Sequence, residues 1–344
     1  TTLFRSISEI SYADNIEIAR VNSWQVVTKK GQFQKDTIAV YFEIDSWIPT
    51  KYAPFLKQST YRDIPGSKLE TIKIRGVLSQ GLLLPISHFP ELENVEVVED
   101  MDLTEILGIQ KWESLEENPY LNDENFKNRK AQQFPANIPK TDQERCQNLK
   151  KEIVQANEAG TLFEVTEKCE GSSMTVYQMK VDDVMEFGVC SRNLNLKESE
   201  GNAFWDMARK ADIENKMKAI DEFWDFAIQG ELVGPGIQDN IYGLTETEFY
   251  VFDVYNIQTG EYLKPEARRA LINRMGLKHA PVIAESVDLY NDLGLTDIPQ
   301  MLEYADGKSV IGFTGHLREG VVFKEVNGGF TFKAISNAYL LGEK

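Results

Sequence analysis

Apolar and polar residues alternate with a period of two through the first third of the chain. Ile16–Val21 and Ser23–Val27 read as half-buried strands, and Thr37–Ile44 as a buried one. Ile72–Pro85 reads as strand, glycine kink, strand. Short strands with glycine punctuation predict a small β-barrel. Near residue 113 the pattern breaks. Residues 113–140 are rich in Glu, Asn and Gln and interrupted by Pro119, Pro135 and Pro139, which predicts a linker. Asp142–Val154 then reads as a helix with Thr141 as its cap. From residue 160 onward strands dominate, with helices between them. Phe204, Met207, Ala208, Ala211, Ile213, Met217, Ile220 and Phe223 recur at helical spacing within 202–229, giving one or two amphipathic helices. Pro265–Met275 and Ile298–Tyr304 predict shorter ones. The expected organisation is α+β: a small all-β domain over 1–118, a linker over 119–140, and a mixed domain over 141–344.

Composition narrows the class. A length of 344 residues suits two domains, each with its own core. No apolar run reaches the ~18 residues of a membrane span, and the first residues carry no signal-peptide pattern. Cys146, Cys169 and Cys190 are too few and too irregular for a disulfide framework or a zinc site, so an intracellular, soluble protein is expected. The net charge of −17 opposes a general nucleic-acid coat. Any nucleic-acid contact must use a local basic surface.

The chemistry gathers around Lys168-Cys169-Glu170-Gly171, with strand-like residues on both sides. A lysine, a spacer, an acid and a glycine at such a turn can form a covalent nucleotide carrier. The same four letters also occur by chance around exposed turn lysines. Downstream come Ser191-Arg192-Asn193, Gly230–Gln238, Phe249–Asp253, Glu319–Lys324 and Phe332–Ser336.

This ordered set resembles the covalent nucleotidyltransferase superfamily of ATP-dependent RNA and DNA ligases and mRNA capping enzymes. Within it the chain is most similar to the Deinococcus/Naegleria-type RNA ligase clade, which carries an OB-like module before its catalytic domain. Val40–Ser46 and Arg75–Gly81 look like signature strands of that module. The resemblance implies an adenylyltransferase domain of twisted antiparallel sheets with flanking helices behind a small OB-like barrel. It further implies joining of 3′-hydroxyl and 5′-phosphate ends, at nicks in RNA-containing duplexes, by a monomer engaged in RNA repair. The cofactors would be ATP with magnesium or manganese.

The site residues follow from the same resemblance. Lys168 is the expected nucleophile, with Glu231, Glu319 and Lys333 as its catalytic partners. Arg145, Glu167, Glu170, Gly171, Ser173, Arg192, Phe252 and Lys324 are expected to hold the nucleotide. Phe252 would stack on adenine, and backbone near Thr166 and Glu167 would read the base. Arg145 suits the ATP phosphates because a guanidinium offers paired donors. Lys333 would neutralise the α-phosphate. Relatives often carry a second lysine two residues from it, where this chain has Thr331 and Ile335, so Lys324 is a candidate to share the load. Relatives also more often have Asp where Glu170 stands.

Elementary chemistry adds one requirement. A lysine attacks phosphorus only as the neutral amine, and at pH 7 fewer than about one in a thousand is neutral at a pKa near 10.4. Bare Glu170, Glu231 and Glu319 would worsen this, whereas a divalent cation among them would reverse it. These three are therefore the expected metal ligands, directly or through water.

Gly234-Pro-Gly236 lacks the third glycine and the strand-to-helix context of a dinucleotide fingerprint. Asp306-Gly-Lys-Ser309 lacks the glycine a P-loop needs at 302. His88, His279 and His316 are scattered and read as surface or satisfied core. Alternative functions are a capping-type guanylyltransferase, a DNA ligase, or a non-catalytic OB-type nucleic-acid binder. Only 11 residues follow Lys333, too few for the C-terminal OB domain of capping enzymes and most DNA ligases, which favours RNA ligase.

Overall fold

Two-residue hairpins set the local geometry. Val181 pairs with Val184 across Asp182-Asp183, Tyr61 with Ile64 across Arg62-Asp63, and Ile74 with Val77 across Arg75-Gly76. All six turn residues have positive φ, the type I′ arrangement whose twist matches that of the flanking strands. A computed structural model of the chain describes residues 2–3, 6–10, 12–34, 37–113, 132–220, 225–312 and 315–343. It divides into two units, Thr1–Glu113 with Leu340–Gly342, and Ser114–Tyr339 with Glu343–Lys344.

The regular structure of the first unit is strand apart from short helical turns. Ser6–Glu9, Ile16–Val21 and Trp24–Lys29 form one antiparallel sheet, and Ile38–Phe42 pairs with Thr2–Leu3 and Leu82–Pro85 in a second. The expected alternation is seen in Trp24–Lys29, where Trp24 and Val26 are buried and Lys29 is exposed. The glycine kink lies at Gly81, whose φ is +112° and whose added Cβ would meet Phe42 O at 2.5 Å.

The second unit is built on two antiparallel sheets. The larger includes Ser172–Val181, Val184–Cys190, Phe226–Val233 and Glu248–Asn256. The smaller orders Val282–Asp288, Leu162–Lys168, Gly320–Glu325 and Thr331–Ile335. Each sheet buries one face under helices. Met174, Val176, Ile228 and Val251 of the larger sheet pack with Phe204, Met207 and Met217 from helices Ala203–Lys210 and Ile213–Lys218. Asn202 caps the first of these by accepting from the Phe204 and Trp205 amides, which explains where that amphipathic pattern begins. Phe163, Val165, Val321, Phe323 and Phe332 of the smaller sheet pack with Met301 and Leu302 from helix Ile298–Ala305, and Phe323 stacks on Phe332 at 4.7 Å. Because side chains alternate, the opposite faces keep the polar residues.

Three sequence expectations are corrected here. The predicted helix over 142–154 starts later, as a short 3₁₀ turn at Cys146–Asn148 followed by Lys150–Glu158. Arg145 is extended, where the Lys333 amide donates to Glu144 O at 2.9 Å and Arg145 bridges Lys333 in parallel. Tertiary pairing overrides the local helical pattern. Thr141 is not a cap; its hydroxyl lies 3.0 Å from that of Ser173. Of the expected linker, 114–131 lie outside the described residues. Residues 132–140 are not free-standing: Gln132–Gln133 pair with Leu194 and Asn195, and Ile138 is buried.

Among the described residues no helix is long and apolar enough to cross a membrane. Cys146, Cys169 and Cys190 are free and buried.

Candidate active site

Lys168 is the last residue of its strand and pairs with Gly320. Ser172 opens the next strand, but in the other sheet. Lys168–Gly171 is therefore a crossover between the sheets, which sets it apart from the turn of a simple hairpin. The register places Glu319 beside Lys168, and the ammonium donates to its carboxylate at 2.6 Å. Their side chains are 25% and 17% exposed, so the pair is sheltered but reachable. Burial alone would lower the Lys168 pKa. The charges of Glu319 and Glu231 outweigh it and raise the pKa above the ordinary lysine value.

Gly171 has a steric reason. A Cβ there would meet Leu232 O at 2.3 Å, Val233 Cγ1 at 2.9 Å and Glu231 Cγ at 3.0 Å. The crossover runs that close to the Glu231 strand. Ser173 pairs directly with Glu231, so both project from one face of the larger sheet. Glu170 donates its amide hydrogen to Tyr242 Oη at 2.6 Å. Its carboxyl is pushed up to about 7, first by burial and then by repulsion from Glu319 and Asp239. Its Oε2 is buried without a hydrogen-bond partner.

Lys333 pairs with Val322, on the same face of the smaller sheet as Lys168. Its ammonium donates to Asp142 at 3.1 Å. Burial, with the charges of Lys168 and Arg145, draws its pKa down, and Asp142 opposes this. Arg192 lies 3.5 Å from the other oxygen of Asp142. The structure thus brings Lys168, Glu170, Glu231, Glu319, Lys333, Arg145 and Arg192 into one neighbourhood.

Phe252 is half-buried against Tyr250, Tyr242, Cys169 and Ile311. Lys324 sits 5.6 Å from its ring centre. Lys324 lies on the same face of the smaller sheet as Lys168 and Lys333, but it is buried, pairs with Asp253 at 2.6 Å and donates to Phe252 O at 2.8 Å. Burial pulls its pKa down to about 8, against the opposing pull of Asp253. The Glu167 side chain has a structural partner of its own. It lies on the opposite face of its strand from Lys168, accepts from Ser309 Oγ and the Val310 amide, and so anchors the segment before Glu319. Burial raises its carboxyl pKa.

Glu170, Glu231 and Glu319 offer oxygens suited to a hard cation. Among the described residues, however, no three His, Cys, Asp or Glu side chains converge to hold one ion.

Several residues went unforeseen. Asp142 was read as part of a helix. Tyr242 carries no sequence signal. Glu164, fully buried, is held by Arg268 and Arg269, and Arg268 donates through Nε to His279 at 3.0 Å. Asp253 closes the Phe249–Asp253 stretch, where the sequence assigns it no role. Its ion pair with Lys324 crosses from one sheet to the other.

A crossover lysine between two antiparallel sheets, with carboxylates and a second lysine on the facing surfaces, defines the covalent nucleotidyltransferase class. An RNA ligase family model matches residues 161–335, and an OB-fold domain model matches residues 3–86. A variant of the Naegleria gruberi RNA ligase with ATP and Mn is 40% identical, with a TM-score of 0.85, covering 98% of this chain and 96% of that one. The same ligase with PPi is 40% identical with a TM-score of 0.83, covering 98% and 96%. Another variant with AMP and Mn is 38% identical with a TM-score of 0.83, covering 100% and 98%. No curated protein matches the chain. The chain belongs to the RNA ligase family.

Proposed function

We propose that this RNA ligase uses ATP to join 3′-hydroxyl and 5′-phosphate ends at nicks in RNA-containing duplexes, as a monomeric, intracellular RNA repair enzyme. The observation that carries the chemistry is the 2.6 Å contact of Lys168 with Glu319 at the sheet crossover, with Lys333 on the same face. Lys168 Nζ, once neutral, attacks the α-phosphorus of ATP; the bond to pyrophosphate breaks and lysyl-AMP forms. The AMP then passes to the 5′-phosphate. The 3′-hydroxyl attacks that end and AMP leaves. Lys333 holds a positive charge beside the reacting phosphorus throughout. Phe252 offers a stacking face worth about 1–3 kcal/mol to a base. ATP, AMP and Mn in the Naegleria gruberi structures support these assignments.

The carboxylates fit a hydrated divalent cation. Glu170 Oε2 is buried without a partner, and burial first, then repulsion from Glu319 and Asp239, raises the Glu170 pKa. Glu170, Glu231 and Glu319 would hold magnesium or manganese through water, and the ion would neutralise phosphate charge.

Four nicked duplexes, with ribose or deoxyribose on each side of the nick, test the sealing reaction. The expected result is sealing that demands ribose at the 3′-hydroxyl side and tolerates deoxyribose at the 5′-phosphate side. A 2′-hydroxyl favours the sugar geometry for in-line attack, where a misplacement of about 1 Å can cost roughly 100-fold. Equal sealing of a 3′-deoxyribose end would assign a DNA ligase instead.

A further inference from the structure

We propose that Asp142 is a positioning residue for lysine adenylylation, holding the ammonium of Lys333 and the guanidinium of Arg192 at fixed places before the nucleotide arrives. This rests on the function proposed above.

The short segment 141–145 is fastened at both ends. At its start the Thr141 hydroxyl lies 3.0 Å from Ser173 Oγ, on the larger sheet. At its end Glu144 O accepts the Lys333 amide at 2.9 Å and Arg145 bridges Lys333, on the smaller sheet. Asp142 lies between these anchors, and its two oxygens face different sheets. Oδ1 is 3.1 Å from Lys333 Nζ, while Oδ2 is 3.5 Å from Arg192, which follows the Val184–Cys190 strand. One carboxylate therefore joins cations carried by separate sheets.

That arrangement answers a physical need. Lys333 is 15% exposed and shares its surroundings with the positive charges of Lys168 and Arg145. Like charges in a sheltered site drive flexible side chains apart. An anion held against Lys333 keeps it aimed without closing the site. Fold stability is a poor explanation for the pair, because Asp142 is 44% exposed and exposed ion pairs contribute little to stability. Asp142 touches no reacting atom in this account; it acts through Lys333 and Arg192.

The test measures lysine adenylylation with labelled ATP and magnesium, separating kcat from the KM for ATP, in the full chain and in Asp142→Asn and Asp142→Glu. The expected result for Asp142→Asn is a kcat lower by about 10–100-fold with KM changed by less than about threefold, since misplacement costs rate more than binding. Asp142→Glu should recover part of the rate, and both variants should melt near the wild type. Unchanged or increased kcat in Asp142→Asn would overturn the proposal, the latter because it would make Asp142 a competitor of the phosphates. So would a loss confined to KM, or equal losses in both variants with a lowered melting temperature. A wild-type chain that takes up no label would overturn the proposed function and this inference together.

Discussion

Lys168 and Glu319 are 151 residues apart in the chain and 2.6 Å apart in space. The antiparallel pairing of Lys168 with Gly320 places them there. The contact keeps the amine protonated, because Glu319 and Glu231 outweigh burial in setting its pKa.

In the proposed mechanism the attacking form of Lys168 grows as pH rises, and a cation beside the carboxylates would bring that form in at lower pH. Adenylylation measured from pH 6.5 to 9.5 should rise with pH at low magnesium. At saturating magnesium the rise should move toward neutral pH. A profile that stays fixed at every metal concentration would contradict this.

His279 offers a second pH test, this time of stability. Its Nδ1 faces Ala280 O at 2.6 Å and its Nε2 accepts from Arg268, so the fold favours the neutral ring. Burial first, and then the Arg268 charge, depress its pKa to about 4. The unfolded chain binds the proton near pH 6.5, the folded chain only near pH 4. Stability is therefore complete above pH 6.5 and falls as the pH drops toward 4. Between pH 7 and pH 5 this residue should account for a loss of about 2 kcal/mol. Urea midpoints of wild type and His279→Gln at both pH values should show a shallower loss in the variant. Parallel losses would remove His279 from the explanation.

Gly171 should not tolerate a methyl group. Its Cβ would collide with Leu232 O, which cannot rotate away. Gly171→Ala should cost about 1–3 kcal/mol through overpacking and about 100-fold in adenylylation through displacement of the crossover. Thermal melting and single-turnover labelling check the two effects separately.

The boundary of the catalytic unit can be tested by truncation. A fragment from Ser114 should fold and seal pre-adenylylated nicks better than 5′-phosphate nicks. A cut at Thr141 should melt lower. It removes the Gln132–Gln133 strand and the buried Ile138, and it deprives the fully buried Gln229 of its 2.8 Å bond to Pro139 O. An orphaned buried amide costs about 1–3 kcal/mol. Equal melting of the two fragments would return 132–140 to the role of linker.

These boundaries show which signals were legible. Alternation in Ile16–Val21 and Trp24–Lys29, and helical spacing in Ala203–Lys210, survive in the structure because one face of each element is buried locally. The ordered motifs single out Lys168, Glu319 and Lys333, and strand register brings them together. Asp142 was missed because its segment has helical periodicity but pairs with Lys333, a contact made across the fold. The partner of Lys324 is illegible in the sequence for a related reason. The strand position of Lys324 was readable, but its partner Asp253 belongs to the other sheet. Ion pairs between sheets leave no period in the sequence.

The most direct measurement is transfer of label from α-labelled ATP to the protein in the presence of magnesium or manganese. The wild type should carry a covalent adduct, stable to base and lost in acid as a phosphoramidate is, and Lys168→Met should carry none. That variant should still seal a nick whose 5′ end is already adenylylated. Label retained on Lys168→Met, or a wild type that seals 5′-phosphate nicks without ever carrying AMP, would contradict the account.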